Sequence, residues 1–262
     1  MEVVDLSQDR EPLFAVCLED WSDDARQAGP KRSQWVSRCR AERGLRAKVA
    51  LDDDGNEGGM IQYSPIEHTT VLGTGLYFIH CIHVHGHSQG RGDFRGHGMG
   101  TALLEAAEQD ARNLGAEGMA AWGLRLPFWM RAAWFRKHGY RTADRQGLSA
   151  LVWKPFTQDA AAPRWPRVRR HLPDPVPGKV NIVSFTSGWC MALNLTHERA
   201  HHVAAEFGDA VAFREIDTSS PEAFAQWGVQ DALFIDGKEF RSGPPPSLAS
   251  LHRAVAQRAA RL

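Results

Sequence analysis

Arg95-Gly96-His97-Gly98-Met99-Gly100-Thr101 stands between a strand-like run, Leu76 to His85, and a stretch from about Gly100 to Leu114 whose apolar residues recur at helical spacing. At such a turn glycine lets the backbone approach an anion, the free N–H groups of the helix start point at it, and the helix dipole adds roughly half a positive charge. A pyrophosphate suits it. The glycines stand at 96, 98 and 100, so neither a G-x-G-x-x-G dinucleotide fingerprint nor a Walker loop ending in Gly-Lys-Ser/Thr is present. Three glycines also suit a turn that holds no ligand, and the neighbouring segments have to decide.

Upstream, a helical region through about Trp21 to Arg43 precedes a strand, Ala47 to Leu51, an acidic turn (DDDGNEG, 52–58) and a second strand, GMIQYSP (59–65), predicted to pair antiparallel. Downstream of the loop, Leu103, Leu104, Ala107, Ala111 and Leu114 are predicted to share one buried helix face. Prolines and arginines then gather from about Pro155 to Lys179 without apolar periodicity. This places a first domain at 1–156, a linker at 157–178 and a second domain at 179–262. The second alternates strand VNIVSF, a turn with Ser187-Gly188-Trp189-Cys190, a helix, strand VAFREID, a helix from Pro221 to Trp227, strand ALFI and a last helix. Ala200, Val203, Ala204 and Phe207 line one face of its first helix, and Leu248, Leu251, Val255 and Ala259 one face of its last. Asp236-Gly237 predicts a type I′ hairpin.

With 43% hydrophobic and 24% charged residues in 262, the chain has a globular balance that excludes fibrous and disordered classes. Lys+Arg 31 against Asp+Glu 31 leaves no net field to recruit nucleic acid or an anionic membrane, so a small-molecule or peptide partner is expected. The N-terminus carries early acids and no unbroken apolar stretch, and no segment has the length of a bilayer span, so a cytoplasmic protein is expected. Cys17, Cys39, Cys81 and Cys190 lie far apart with no CxxC pair and read as reduced thiols.

Arg95, Gly98 and Gly100 match the (Gln/Arg)-x-x-Gly-x-(Gly/Ala) signature of the GNAT acyltransferases, and TALLEAAEQDAR (101–112) is like that family's cofactor helix. The strand pair around the acidic turn, IHCIHVH (79–85), and Ala133-Trp134-Phe135-Arg136-Lys137-His138-Gly139-Tyr140, similar to A-x-F-Y-x-x-x-G-F, follow in the family's order. On these residues the chain from about Leu45 to Phe156 resembles the GNAT superfamily. The resemblance implies an α/β (α+β) fold, a mixed sheet flanked by helices. It also implies acetyl-CoA, with the coenzyme A pyrophosphate on Arg95, Gly96, His97, Gly98, Met99, Gly100 and Thr101 and the pantetheine arm along Ile82, His83 and Val84. The reaction implied is N-acetylation of a small-molecule or peptide amine by direct attack in a ternary complex; a sensor that holds the cofactor without turnover is the alternative. Two departures stand out: HGHSQGRGDF (85–94) enlarges the loop, and Phe135 replaces the tyrosine that many members use as general acid.

An acceptor ammonium must lose a proton, which suits a group with a near-neutral pKa. His83 and His85 fall on one strand face beside the expected thioester and are the candidate bases. Hydrogen-bonded loop histidines fit the same positions. His-x-His-x-His also alternates possible metal donors, but no thiolate or carboxylate cluster accompanies it, and no metal is expected. Trp122 and Trp129 are flat side chains available to grip the acceptor.

Ser187-Gly188-Trp189-Cys190 is similar to the Trp-Cys turn of thioredoxin-like domains. A second cysteine is missing, with Leu193 in its place, and Asp231 stands near the point where a proline is expected. Cys190 at a helix start is a candidate functional thiol on the acceptor side, or an inert vestige. The order of segments resembles the YoaP-like acetyltransferases, which implies a small thioredoxin-like α/β domain at the C-terminal end.

Overall fold

The computed structural model describes residues 1–127, 129–240 and 245–262. These form two compact units, Met1–Trp21 with Val36–Arg167, and Ser22–Trp35 with Val168–Leu262.

In the first unit β1 (Glu2–Asp5), α1 (Glu11–Ala15), the C-terminal part of α2 (Asp23–Glu42), β2 (Arg46–Leu51), β3 (Glu57–Pro65) and β4 (Leu76–Val84) lead to α3 (Met99–Asn113). β5 (Gly118–Leu124), α4 (Ala132–Lys137), β6 (Arg141–Gln146) and β7 (Ser149–Pro155) complete it. The strands form one mixed sheet in the order β1-β2-β3-β4-β5-β7-β6. Leu103, Leu104, Ala107 and Ala111 of α3 are buried against it with Ile61, Ile79 and Phe135. Each leucine so buried contributes roughly 1.5–3 kcal/mol. Leu114, expected on the same face, is 49% exposed, because it caps the helix after the last full turn.

The feature that makes a site lies in β4. Gln62 pairs with Cys81 but Tyr63 pairs with Ile79, so His80 is an extra residue that bulges the strand. β4 pairs parallel with β5 only as far as Ile79↔Ala121. Beyond that point β5 continues against β7 while β4 keeps β3 alone, so the backbone of Ile82 to Val84 faces a gap. Glycines hold the far side close: a Cβ on Gly58 would lie 2.5 Å from the Phe94 ring and one on Gly59 2.9 Å from Leu103. Gly58→Ala is expected to overpack this contact by about 1–3 kcal/mol and lower the melting temperature by several degrees, measurable by calorimetry. An unchanged transition would show that Phe94 gives way freely.

The second unit pairs β8 (Val180–Thr186), parallel to β9 (Val211–Asp217), with β10 (Ala232–Ile235) and β11 (Lys238–Glu239) in the order β11-β10-β8-β9. α5 (Met191–Phe207), α6 (Pro221–Trp227) and α7 (Leu248–Ala259) complete it. Ala200, Val203, Ala204, Leu251 and Val255 share its core with Ile182 and Ile235, whereas Leu248, in the first turn of α7, is 42% exposed. Asp236 and Gly237 both take positive φ, 47° and 73°, as a type I′ turn requires. Asp231 is half-buried and pins the turn before α5. It accepts from the Ser187 N–H (2.8 Å), the Ser187 hydroxyl (2.8 Å) and the Trp189 indole N–H (3.2 Å). Burial pushes its carboxyl up despite these bonds.

Candidate active site

The enlarged loop after β4 folds back on itself. Gly86 bridges Asp93, and the Phe94 N–H donates to the His85 carbonyl at 2.9 Å. The Asp93 carboxylate accepts from the Arg95 N–H at 3.0 Å and from its guanidinium at 2.9 and 2.6 Å, and this pairing holds the Asp93 carboxyl far below the usual range. Arg95 is therefore aimed by a residue with no motif signal; only the acid two positions before the arginine hints at it. Gly96 and Gly98 take φ of +82° and +83°, a region that L side chains rarely occupy. Gly98 caps α3, whose first helical bond runs from the Ala102 N–H to the Gly98 carbonyl (3.0 Å). The Met99, Gly100 and Thr101 N–H groups precede that bond and point out of the helix end.

This helix start opens on a cleft of about 1040 Å³. Ile82, His83 and Val84 form one wall, Arg95, Gly96 and Gly98 to Thr101 one end, and Trp129, Met130, Arg131, Trp134 and Phe135 the other wall. Of the loop residues only His97 is not in the lining; it is exposed. The Ile82 N–H points into the gap, where it donates to the Met130 thioether at 3.4 Å. Thr101 Oγ1 lies 3.1 Å from His138 Nε2, tying the first turn of α3 to the end of α4. The cleft thus offers N–H donors for an anion at one end and a single backbone N–H deeper in.

The histidines separate by environment. His83 lines the cleft. His85, expected to project beside it, is fully buried and does not reach the cleft. Its Nδ1 lies 2.6 Å from the Gly92 carbonyl and its Nε2 accepts from the Trp21 indole at 3.5 Å, so the ring braces the loop instead. The reason is that the loop folds back over the strand end, which spacing along the chain does not reveal. His80, the bulge residue, is buried with Nε2 2.8 Å from the Ser64 hydroxyl, and desolvation lowers its pKa to about 3. It stays neutral. His87 lines the cleft edge 3.9 Å from Glu19.

Trp129 lines the cleft at 39% exposure, whereas Trp122 stands behind it, edge to face at 5.2 Å, and donates to the His80 carbonyl at 2.8 Å. Phe135 is buried at the position where the tyrosine was expected. The chain's three tyrosines lie elsewhere: Tyr63 donates to Asp110 (2.5 Å), Tyr140 is buried and Tyr77 packs on Tyr63. None lines the cleft. Among the described residues no group of three His, Cys, Asp or Glu is placed to hold a metal ion.

Cys190 belongs to the second unit, where it caps α5 and is 5% exposed. In the same unit a Cβ on Gly188 would lie 3.2 Å from Trp35 Cβ, so α2 covers the turn. Further along α5, His197 Nδ1 lies 2.9 Å from the Ser184 hydroxyl and its Nε2 3.2 Å from Glu215. Desolvation lowers the His197 pKa to about 4.

A mixed sheet with a parted strand pair and a glycine-capped helix start at its mouth defines an α/β protein with a cleft beside an open strand edge. The acetyltransferase (GNAT) family profile matches residues 8–140, just over half of the chain. The chain belongs to that family and is an acyltransferase. The comparison with curated proteins gives no match. Similar solved structures include a GNAT family acetyltransferase from Brucella melitensis in complex with acetyl-CoA, 20% identical over 61% of this chain and 90% of that one, with a TM-score of 0.41. A GNAT family N-acetyltransferase (YhbS) from Escherichia coli in complex with CoA is 16% identical over 63% and 88%, with a TM-score of 0.44. The PaiA N-acetyltransferase from Thermoplasma acidophilum in complex with coenzyme A is 14% identical over 59% and 98%, with a TM-score of 0.44. No helix among the described residues is long and apolar enough to cross a membrane.

Proposed function

We propose that this protein transfers an acetyl group from acetyl-CoA to the amine of a small molecule or peptide, by direct attack within a ternary complex. The observation that carries this reading is the pairing, in one cleft, of the α3 N–H groups with the Ile82 N–H. The pyrophosphate sits on the Arg95 to Thr101 loop, with the charge of Arg95 and the helix dipole opposing its own. The pantetheine arm runs along Ile82 to Val84 in place of a β5 partner. The thioester carbonyl then accepts from the Ile82 N–H, which stabilises the oxyanion as the amine attacks; collapse completes the amide C–N bond, breaks the C–S bond and releases CoA as a thiolate that takes a proton from solvent.

His83 takes the ammonium proton, directly or through a water, because it is the β4 histidine that lines the cleft. Trp129 flanks the acceptor, with Trp122 fixing its ring. His85 is given no catalytic step, and neither is Cys190, buried in its own unit. We further propose that 1–156 is the transferase domain, 157–178 a linker and 179–262 a thioredoxin-like domain of the YoaP-like kind. Four free cysteines suit a cytoplasmic setting.

Calorimetry with acetyl-CoA, followed by thiol release over a panel of primary amines, tests the reading. Binding together with amine-dependent release of CoA is expected; no binding would sink it, and binding without release from any amine would favour a sensor. His83→Asn should lose most of the rate, on the order of 10²-fold in kcat/KM, while still binding acetyl-CoA. A His83→Asn variant that turns over as fast as wild type removes this residue from the mechanism.

A further inference from the structure

Met130 is the residue of the cleft whose geometry acetyl transfer does not by itself explain. Its backbone sits at φ +51°, where side chains other than glycine are rare, yet it is 5% exposed and locked in place. The Leu124 N–H donates to its carbonyl at 2.7 Å, and Gly123 makes room, since a Cβ there would lie 2.8 Å from the Ala132 backbone and 3.0 Å from the Met130 carbonyl. This strained turn delivers a flexible thioether to the Ile82 N–H at 3.4 Å. Left-handed backbone at a buried methionine is strained, and the surrounding contacts have to offset it.

We infer that Met130 occupies the acyl subsite, guarding the Ile82 N–H and limiting the transferred group to a short acyl chain. The inference rests on the acetyl-transfer reading and specifies its donor. A thioether sulfur is a weak acceptor and a carbonyl oxygen a much better one, so an entering thioester displaces the sulfur from the N–H without leaving that donor unpaired. The methionine side chain has three rotatable bonds and can withdraw without moving the backbone. It cannot withdraw far. Phe135, Ala121 and Ala132 are fully buried in the core cluster that Met130 belongs to. The displaced Cγ, Sδ and Cε therefore stay against the acyl methyl and fill the space that a longer chain needs.

Met130→Ala removes those three atoms. Wild type is expected to prefer acetyl-CoA over butyryl-CoA in kcat/KM, and Met130→Ala to shrink that preference at least about tenfold, since one methylene in an apolar pocket is worth roughly 10–200-fold. Met130→Leu keeps the bulk without the sulfur and should hold the wild-type ratio. CoA affinity, measured by calorimetry on each variant, separates the two ideas. An unchanged acyl ratio in a Met130→Ala protein that binds CoA normally overturns this inference alone. Absence of CoA binding by wild type overturns it together with the acetyl-transfer reading. Should the variants fold poorly, wild type labelled at the methionine methyls answers instead. Acetyl-CoA should shift the Met130 methyl and the Ile82 amide resonances beyond the effect of CoA, and identical spectra with the two ligands would overturn the proposal.

Discussion

Gly98→Val is expected to weaken acetyl-CoA binding at least about a hundredfold. Gly98 holds φ +83° at the cap of α3, and a β-branched residue there costs roughly 1–2 kcal/mol in backbone strain before any ligand is considered. Nothing lies within 4 Å of a Cβ at this position, so the added side chain does not clash with the protein. The loop instead relaxes toward a conformation that valine accepts, which turns the Met99, Gly100 and Thr101 N–H groups away from a common point. Hydrogen bonds to a charged group are worth about 1.5–3 kcal/mol each, and losing two exceeds the roughly 2.8 kcal/mol that a hundredfold change requires. Gly147→Val is the matched control. It has φ +56° and open space in the turn between β6 and β7, away from the cleft lining, and should bind as wild type does. Calorimetric affinity for Gly98→Val within threefold of wild type would show that the loop is not where the pyrophosphate sits.

Acidification from pH 7 to 5 is expected to destabilise the first unit by about 2 kcal/mol through His80 alone. Burial holds its folded pKa at about 3 against 6.5 for the free side chain, so between these values the unfolded chain binds more protons than the folded one. Stability is then fully present above pH 6.5 and falls by about 1.4 kcal/mol for each pH unit below it. His197, lowered by desolvation to about 4, acts with the same sign in the second unit. Asp5, Asp52 and Asp93 have lowered values and lose their contribution only as pH falls through the carboxylate range, below this window. His80→Gln keeps a hydrogen-bonding group for Ser64 and removes the titration. The difference between its unfolding free energy and that of wild type should narrow by about 2 kcal/mol from pH 7 to 5. A difference independent of pH would mean that His80 is open to water.

Much of the architecture is legible along the chain. The strands VAFREID and ALFI and the helix from Pro221 to Trp227 have the bounds their composition predicts. The α3 face of Leu103, Leu104, Ala107 and Ala111 follows from periodicity, and the Asp236-Gly237 turn from the conformations those residues tolerate. These are local properties, set by spacing and backbone preference within a few residues. Leu114 and Leu248 fall outside their predicted faces because a periodic pattern does not say where burial stops at a helix end.

The site is a different matter, since its parts meet only through long-range pairing. The bulge at His80 shifts which β4 side chains face which neighbours, and the end of β4–β5 pairing at Ile79 opens the cleft; both depend on partners 16 or more residues away. His83 and His85 are two positions apart and alike in sequence, yet one lines the cleft and the other is enclosed by Gly92 and Trp21, because the loop returns over the strand end. Asp93 holding Arg95, and Met130 reaching Ile82, carry no motif at all. The sequence by itself determined the elements and the glycine turn, through local sterics and periodicity. Only the tertiary structure decided which polar atoms converge, because convergence depends on strand register and loop closure between distant segments, and these are settled by packing energies that no short window of residues contains.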